Sequence, residues 1–275
     1  DLLAQGQEAR LDGRERPLTL FFSDVKGFTS VSEGMAPQKL IDALGDYLDV
    51  VVKAVQAQRG TIDKFMGDGV LAFFNAPRDD EDHIVHACRA ALATQAQLDA
   101  ARESWTNGGR PPFFTRIGLH TAEVVVGNIG TPDRFSYTVL GDGVNLAARL
   151  ESLNKAYGTW ILASDDVRRG AGDGFAWRHL DRTAVSGRVG GTEIYELLGE
   201  ADAVGEVLLQ ARDAYEEALE HYLARRFDEA VRAFAHAATL RPDDFAAVTL
   251  GRRAQAYVES PPPADWDGIY VQTQK

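Results

Sequence analysis

Two strand-length apolar segments, residues 61–66 and 70–74, are separated by only Gly67-Asp68-Gly69. A connection that short cannot carry a crossover to a parallel neighbour, so it requires an antiparallel hairpin with an acidic residue at its tip. Upstream, residues 18–23 form a continuous apolar run of strand length that ends in the polar turn Asp24-Val25-Lys26-Gly27. After Pro37, apolar residues at Leu40, Ile41, Leu44, Leu48, Val51, Val52 and Val55 recur every three or four positions, as on one face of a long helix closed by Gly60. A second helix is predicted over 82–102, and strands over 113–120 and 123–128. Residues 137–140 then lead through Gly141 into a helix carrying Val144, Asn145, Ala148 and Arg149, and 176–180 and 193–198 read as closing strands. Strands interleaved with helices, several of them joined by hairpins, predict an α/β domain over 18–198 with a mixed or antiparallel sheet and helices packed on it. Residues 1–17, polar and interrupted by Gly6, Gly13 and Pro17, read as a leading linker.

Beyond Gly199 the pattern changes to alanine-rich amphipathic helix. Tyr215, Ala218, Leu219 and Tyr222 make one face, and Phe227, Ala230, Val231, Phe234 and Ala237 the next, before Pro242. The spacing is similar to the second half of a tetratricopeptide unit in a single copy, which cannot bury its own apolar face. Residues 199–275 are therefore expected to form a helical hairpin docked on the main domain or on a partner subunit. The stiff Pro261-Pro262-Pro263 run follows, with Trp266 pinning the tail to a surface.

Composition narrows the function classes. With 45% hydrophobic and 25% charged residues the chain has ordinary globular proportions. A net charge of −12 argues against nucleic acid and against anionic membrane surfaces as partners. An anionic ligand must then be met by local positive groups and metal ions. Cys88, the only cysteine, excludes an intramolecular disulfide and fits a reducing, cytoplasmic setting; it reads as a small buried residue. No run approaches the roughly 18 apolar residues of a membrane-spanning helix. The start at Asp1, without methionine, suggests a fragment whose upstream part would carry any membrane anchor or sensor domain. His83 and His86 lie three apart with no completing metal ligands at suitable spacing and read as surface histidines.

The chemistry centres on Asp24 and Asp68, one at the end of a strand and the other at a hairpin tip. Two such carboxylates can hold divalent ions by oxygen ligation, although aspartate beside glycine also commonly stabilises turns. The turn after Asp24 leads into a helix start, where unpaired amides attract phosphate oxygens and Gly27 permits close approach. Lys64 precedes Asp68 by four positions and shares its face if the strand is regular to the tip; pairing with Asp63 or Asp68 is the plainer alternative. Asn145 and Arg149, four apart on one helix, project from one face. Helix-surface polarity, with Arg149 paired to Glu151 or Asp142, is the alternative there.

Three segments occur in order: Phe22-Ser23-Asp24-Val25-Lys26-Gly27-Phe28-Thr29, Asp63-Lys64-Phe65-Met66-Gly67-Asp68, and the run from Tyr137-Thr138-Val139-Leu140-Gly141-Asp142 to Gly143-Val144-Asn145-Leu146-Ala147-Ala148-Arg149. Together they resemble the motifs of class III nucleotide cyclases across about residues 18–198. The resemblance implies a ferredoxin-like fold, a head-to-tail homodimer with its sites at the interface, and conversion of ATP to cyclic AMP and pyrophosphate. It implies that Asp24, Asp68 and the Val25 carbonyl hold two Mg²⁺ or Mn²⁺ ions per site, with the triphosphate over Gly27, Phe28 and Thr29. It assigns adenine recognition to Lys64 and Thr138, ribose orientation to Asn145 and transition-state stabilisation to Arg149.

Thr138 departs from the aspartate of many animal cyclases and is similar to a bacterial adenylyl subgroup, some of whose members respond to bicarbonate. Ser186 replaces one of two lysines that often flank Gly187, leaving Arg188 to supply the lost phosphate contact. A guanylyl cyclase and a catalytically silent nucleotide-sensing or scaffold module are the alternatives. Lys64, where guanylyl cyclases typically carry glutamate, argues against the first, and the joint presence of Asp24, Lys64, Asp68, Asn145 and Arg149 against the second.

Overall fold

Strand β1 (Asp12–Val25) is the spine of the N-terminal half of this computed structural model, which describes residues 11–184 and 190–270. Its apolar run from Leu18 to Phe22 has no polar alternation because sheet neighbours flank it on both edges and side chains cover it on both faces. On one edge it pairs antiparallel with β3 (Gly69–Phe74), which in turn pairs with β2 (Thr61–Met66). On the other edge it pairs with β4 (Thr115–Thr131), whose far end pairs with β5 (Arg134–Leu140). The strand order is thus β2-β3-β1-β4-β5, and every one of these pairings is antiparallel.

One sheet face buries Leu18, Leu20, Leu71, Phe73, Val124 and Val126 together with Val139 and Ala147. Helices α2 (Pro37–Ala57) and α3 (His83–Asn107) pack on each other and on strands of this sheet, after the short α1 (Phe28–Glu33).

Three expectations are corrected in this half. Residues 12–17, read as linker, are strand, because the partner β4 is long enough to pair with β1 as far as Asp12↔Asn128; Pro17 is accommodated opposite Glu123. The strands predicted over 113–120 and 123–128 are one continuous strand. The stripe that α2 buries is Ala43, Tyr47, Val51, Ala54 and Val55, whereas Ile41 is 63% exposed. A helix with two apolar stripes can bury only one of them against its own sheet.

By their contacts the residues group into two compact units, Asp1–Ala148 and Arg149–Lys275, with the boundary inside α4 (Asp142–Tyr157). In the second unit, β6 (Ile161–Ser164) and β7 (Phe175–Ala184) both pair antiparallel with β8 (Gly191–Glu200), and the short helix α5 (Asp165–Ala171) follows β6. The tail is three helices rather than a hairpin: α6 (Glu206–Leu223), α7 (Phe227–Leu240) and α8 (Phe245–Glu259). They dock on β7. The Tyr215 hydroxyl donates to the Leu180 carbonyl at 2.8 Å, and the Glu216 carboxylate accepts from the His179 amide at 2.6 Å.

The deepest contacts between tail and strands are ionic. Arg178 on β7, 2% exposed at its side chain, pairs with Glu196 at 2.6 Å and with Asp244 at the start of α8, and its guanidinium lies over the Tyr215 ring. Asp181, fully buried, accepts from the Tyr157 hydroxyl at 2.6 Å and from Arg253 of α8 at 2.5 Å. Trp266 packs against Tyr222, Phe227 and Tyr257, as expected of a pinning residue, and Arg225 binds the carbonyls of Pro262 and Pro263.

Removing one partner from a buried ion pair strands the other charge and costs about 3–5 kcal/mol. Asp244→Ala leaves Arg178 its bond to Glu196 but deletes one of two buried counter-charges and the acceptor at the start of α8, and is expected to lower the unfolding free energy by about 2–3 kcal/mol in urea denaturation. A loss below about 1 kcal/mol would show that the Arg178 cluster does not secure the tail.

Candidate active site

The tip of the β2–β3 hairpin reaches the end of β1, since the register Ser23↔Val70 sets Asp24 beside the turn Gly67-Asp68. The Asp24 and Asp68 carboxyl groups come within hydrogen-bonding reach of each other. Asp68 Oδ2 also accepts from the Val25 amide at 3.2 Å. Close approach at this point requires a glycine at position 69, where an added Cβ would lie 2.9 Å from the Ser23 carbonyl oxygen and 3.5 Å from Asp24 Oδ1. The Asp24 carboxyl is pushed up from 3.8 to about 6, first by burial and then by the charge of Asp68 and the hydrogen bond to it. Arg116, directly across the ladder, and the Val25 amide oppose that shift.

Like charges held together at a partly open position suit a divalent cation, which would relieve their repulsion. Among the described residues no group of three or more His, Cys, Asp or Glu side chains is placed to hold a metal. An ion at Asp24 and Asp68 would therefore complete its shell with backbone carbonyl, water or phosphate oxygens, a pattern usual for magnesium.

Two residues that the sequence reading passed over brace this site from behind. The Thr115 hydroxyl donates to the Asp24 carbonyl at 2.9 Å, which leaves the buried Tyr47 hydroxyl to donate to Thr115 Oγ1 at 2.8 Å. Burial drives the Tyr47 phenol well above its ordinary value and keeps it neutral. A tyrosine on an otherwise small-residue stripe of α2, Ala43-Tyr47-Val51, was the available signal.

Past Val25 the backbone turns through Gly27, whose φ of 71° is left-handed, and enters α1. The first-turn amides of Phe28 and Thr29 have no intrahelical acceptor. The Lys26 amide is used instead to bond the Phe114 carbonyl at 2.7 Å.

A second cluster forms away from the carboxylate pair. Lys64 Nζ donates to Thr138 Oγ1 at 3.0 Å, Thr138 donates to Asp63 Oδ2 at 2.7 Å, and Lys64 Nζ lies 3.5 Å from Asp63 Oδ1. Residues 74 positions apart meet because β2 and β5 approach at this point. The condition for Lys64 and Asp68 to share a face is not met: β2 ends at Met66, and the chain turns at Gly67, whose φ is 67°, before it reaches Asp68. The pairing of Lys64 with Asp63 raised as the plainer alternative does occur, alongside the bond to Thr138.

Asn145 is exposed and Arg149 half-buried on α4. Ser186 and Arg188 lie outside the described residues. His83 is not a surface residue: it is buried and bonds Thr19 Oγ1 at 2.7 Å, with burial lowering its pKa, while the half-buried His86 bonds Asp80 at 2.7 Å. Cys88 is buried, and burial raises its thiol pKa.

Residues 12–199 match the family model described as the adenylate and guanylate cyclase catalytic domain. Over 187 residues the chain is 42% identical to adenylate cyclase 1 of Rhizobium meliloti (strain 1021), covering 68% of this chain and 28% of that protein. Among solved structures, the adenylyl cyclase CyaB from P. aeruginosa superimposes with a TM-score of 0.66 at 35% identity, covering 71% of this chain and all of that one. The guanylyl cyclase Cya2 gives 0.65 at 33%, covering 71% and 98%. The chain thus spans under a third of the length of its Rhizobium relative.

Asp68→Asn removes the neighbouring negative charge from Asp24 but not its burial. In metal-free buffer, carbon-13 NMR titration is expected to find the Asp24 carboxyl below about 6 yet still above its ordinary 3.8. An unchanged value would mean that the two carboxyl groups do not interact.

Proposed function

The chain belongs to the adenylate and guanylate cyclase catalytic domain family, and we propose that it converts ATP into 3′,5′-cyclic AMP and pyrophosphate at the interface of a homodimer. The observation that carries the choice of adenylyl over guanylyl chemistry is the direct bond between Lys64 and Thr138. A lysine ammonium offers only donors. It suits the ring nitrogen N1 of adenine, an acceptor, and is mismatched to the N1–H of guanine.

Asp24, Asp68 and the Val25 carbonyl are the residues to hold two Mg²⁺ or Mn²⁺ ions. Such ions, when bound, acidify the ribose 3′-hydroxyl and gather the phosphates. The turn from Val25 to Thr29 receives the triphosphate on first-turn amides, with Arg188 as a further phosphate contact. Asn145 orients the ribose. Arg149, permanently charged and able to present a planar fork of donors, stabilises negative charge in the transition state.

Two features support the dimer. Lys64 is bound up with Thr138 and Asp63 rather than with the carboxylate pair, as suits two half-sites that serve different nucleotides. Ile41, Phe65, Phe135 and Leu140 are large apolar side chains exposed in the first unit. Among the described residues no helix is long and apolar enough to cross a membrane. The greater length of the relatives leaves room for a regulatory segment outside this chain.

The test is cyclic AMP production by the purified chain with ATP and manganese, beside the same assay with GTP. Asp24→Ala and Asp68→Ala are expected to abolish turnover with unchanged circular dichroism, and Arg149→Ala to lower the turnover number by about 10²- to 10³-fold. ATP binding without product in either metal would favour a silent module, and preference for GTP a guanylyl cyclase. Mixing inactive Asp24→Ala with inactive Arg149→Ala protein is expected to restore partial activity, since one site of the mixed dimer is intact. No recovery, with subunit exchange demonstrated, would contradict an interfacial site.

A further inference from the structure

We propose that Asp63 sets the preference for adenine by fixing the direction of the Thr138 hydroxyl, an inference that rests on the adenylyl cyclase reading above. The geometry leaves the hydroxyl little choice. Asp63 is 1% exposed at its side chain, and its Oδ2 stands 2.7 Å from Thr138 Oγ1. Lys64 Nζ stands 3.0 Å from the same oxygen. An ammonium can only donate and an ionised carboxylate can only accept, so the single hydroxyl hydrogen must point at Asp63 while one lone pair receives Lys64. What remains for a ligand is the second lone pair of Oγ1. Thr138 is thereby converted from a residue that can donate or accept into an acceptor.

The two purines differ at the position where this matters. Adenine carries at C6 an amino group that donates, and guanine a carbonyl that accepts. An acceptor-only Thr138 matches the first and opposes the second, so the discrimination depends on a carboxylate that need not touch the base. Asp63 is a positioning residue in this scheme. Its Oδ1 has no hydrogen-bond partner among the described residues and lies 3.5 Å from Lys64 Nζ. That leaves Asp63 aimed at the base-recognition pair and at no other side chain shown to bond it.

The experiment compares kcat/KM for ATP and GTP in the wild type and in Asp63→Asn. An asparagine can turn its amide nitrogen toward Thr138 and release the hydroxyl hydrogen to donate. The ATP-to-GTP ratio is expected to fall by roughly 10- to 100-fold, the scale of one mispaired buried polar contact, with kcat/KM for GTP rising in absolute value. A merely structural loss would lower both substrates in parallel, and that result, or an unchanged ratio, would overturn the inference.

A measurement on the unmutated protein covers the case in which Asp63→Asn does not fold. Purine riboside triphosphate, which keeps N1 as an acceptor for Lys64 but carries no group at C6 to donate to Thr138, is expected to be used roughly 10- to 100-fold less well than ATP. Use of it equal to that of ATP would overturn the inference while leaving the cyclase reading intact. Wild-type protein that cyclises neither ATP nor GTP would remove the reading on which it rests, and the inference with it.

Discussion

Two carboxyl groups of like charge are held within hydrogen-bonding reach at the end of a central strand, and much of the first unit is arranged to keep them there. Asp24 ends a strand paired on both edges, Asp68 rides a two-residue turn, and Gly69 provides the clearance between them. Burial and mutual repulsion raise the Asp24 carboxyl to about 6. A fold that only needed a stable turn would not place an acidic partner against it. The bracing by Thr115 and Tyr47 fixes the Asp24 carbonyl by a buried chain of hydrogen bonds instead of leaving it to loop dynamics. These features make sense together if a cation is the missing partner.

The cluster where β2 approaches β5 follows a different logic. There Lys64, Thr138 and Asp63 satisfy one another internally, and the question is which hydrogen-bonding capacity remains for a ligand. Charge is thus arranged in two ways in one unit: a pair of like charges at the end of β1, and a pair of opposite charges that orients a hydroxyl.

Much of this was legible in the sequence. The hairpin over residues 61–74 had to be antiparallel, the apolar run 18–22 had to be a buried strand, and both carry their acidic residue at the end nearest a glycine. What could not be read was long-range. Asp63 appeared only as a nearby counter-charge for Lys64, because nothing local says that a residue 75 positions away will place its hydroxyl against it. Tyr47 was hidden because α2 carries two apolar stripes and periodicity alone does not say which faces the sheet. The extension of β1 to Asp12 was missed because pairing with a 17-residue partner overrides the local signals of Gly13 and Pro17. The ionic seams that dock α8 on β7, Arg178 to Asp244 and Asp181 to Arg253, join residues 66 and 72 positions apart, so docking of the tail was legible from its apolar faces while its part in burying the charges of β7 was not.

The central claim is that Asp24 and Asp68 together hold divalent ions in the presence of nucleotide. Electron paramagnetic resonance of Mn²⁺ with 3′-deoxy-ATP, which lacks the attacking hydroxyl, counts bound ions without turnover. The account requires protein-bound manganese in the wild type and its loss in both Asp24→Asn and Asp68→Asn, with the fold intact. Undiminished binding in either variant would contradict it.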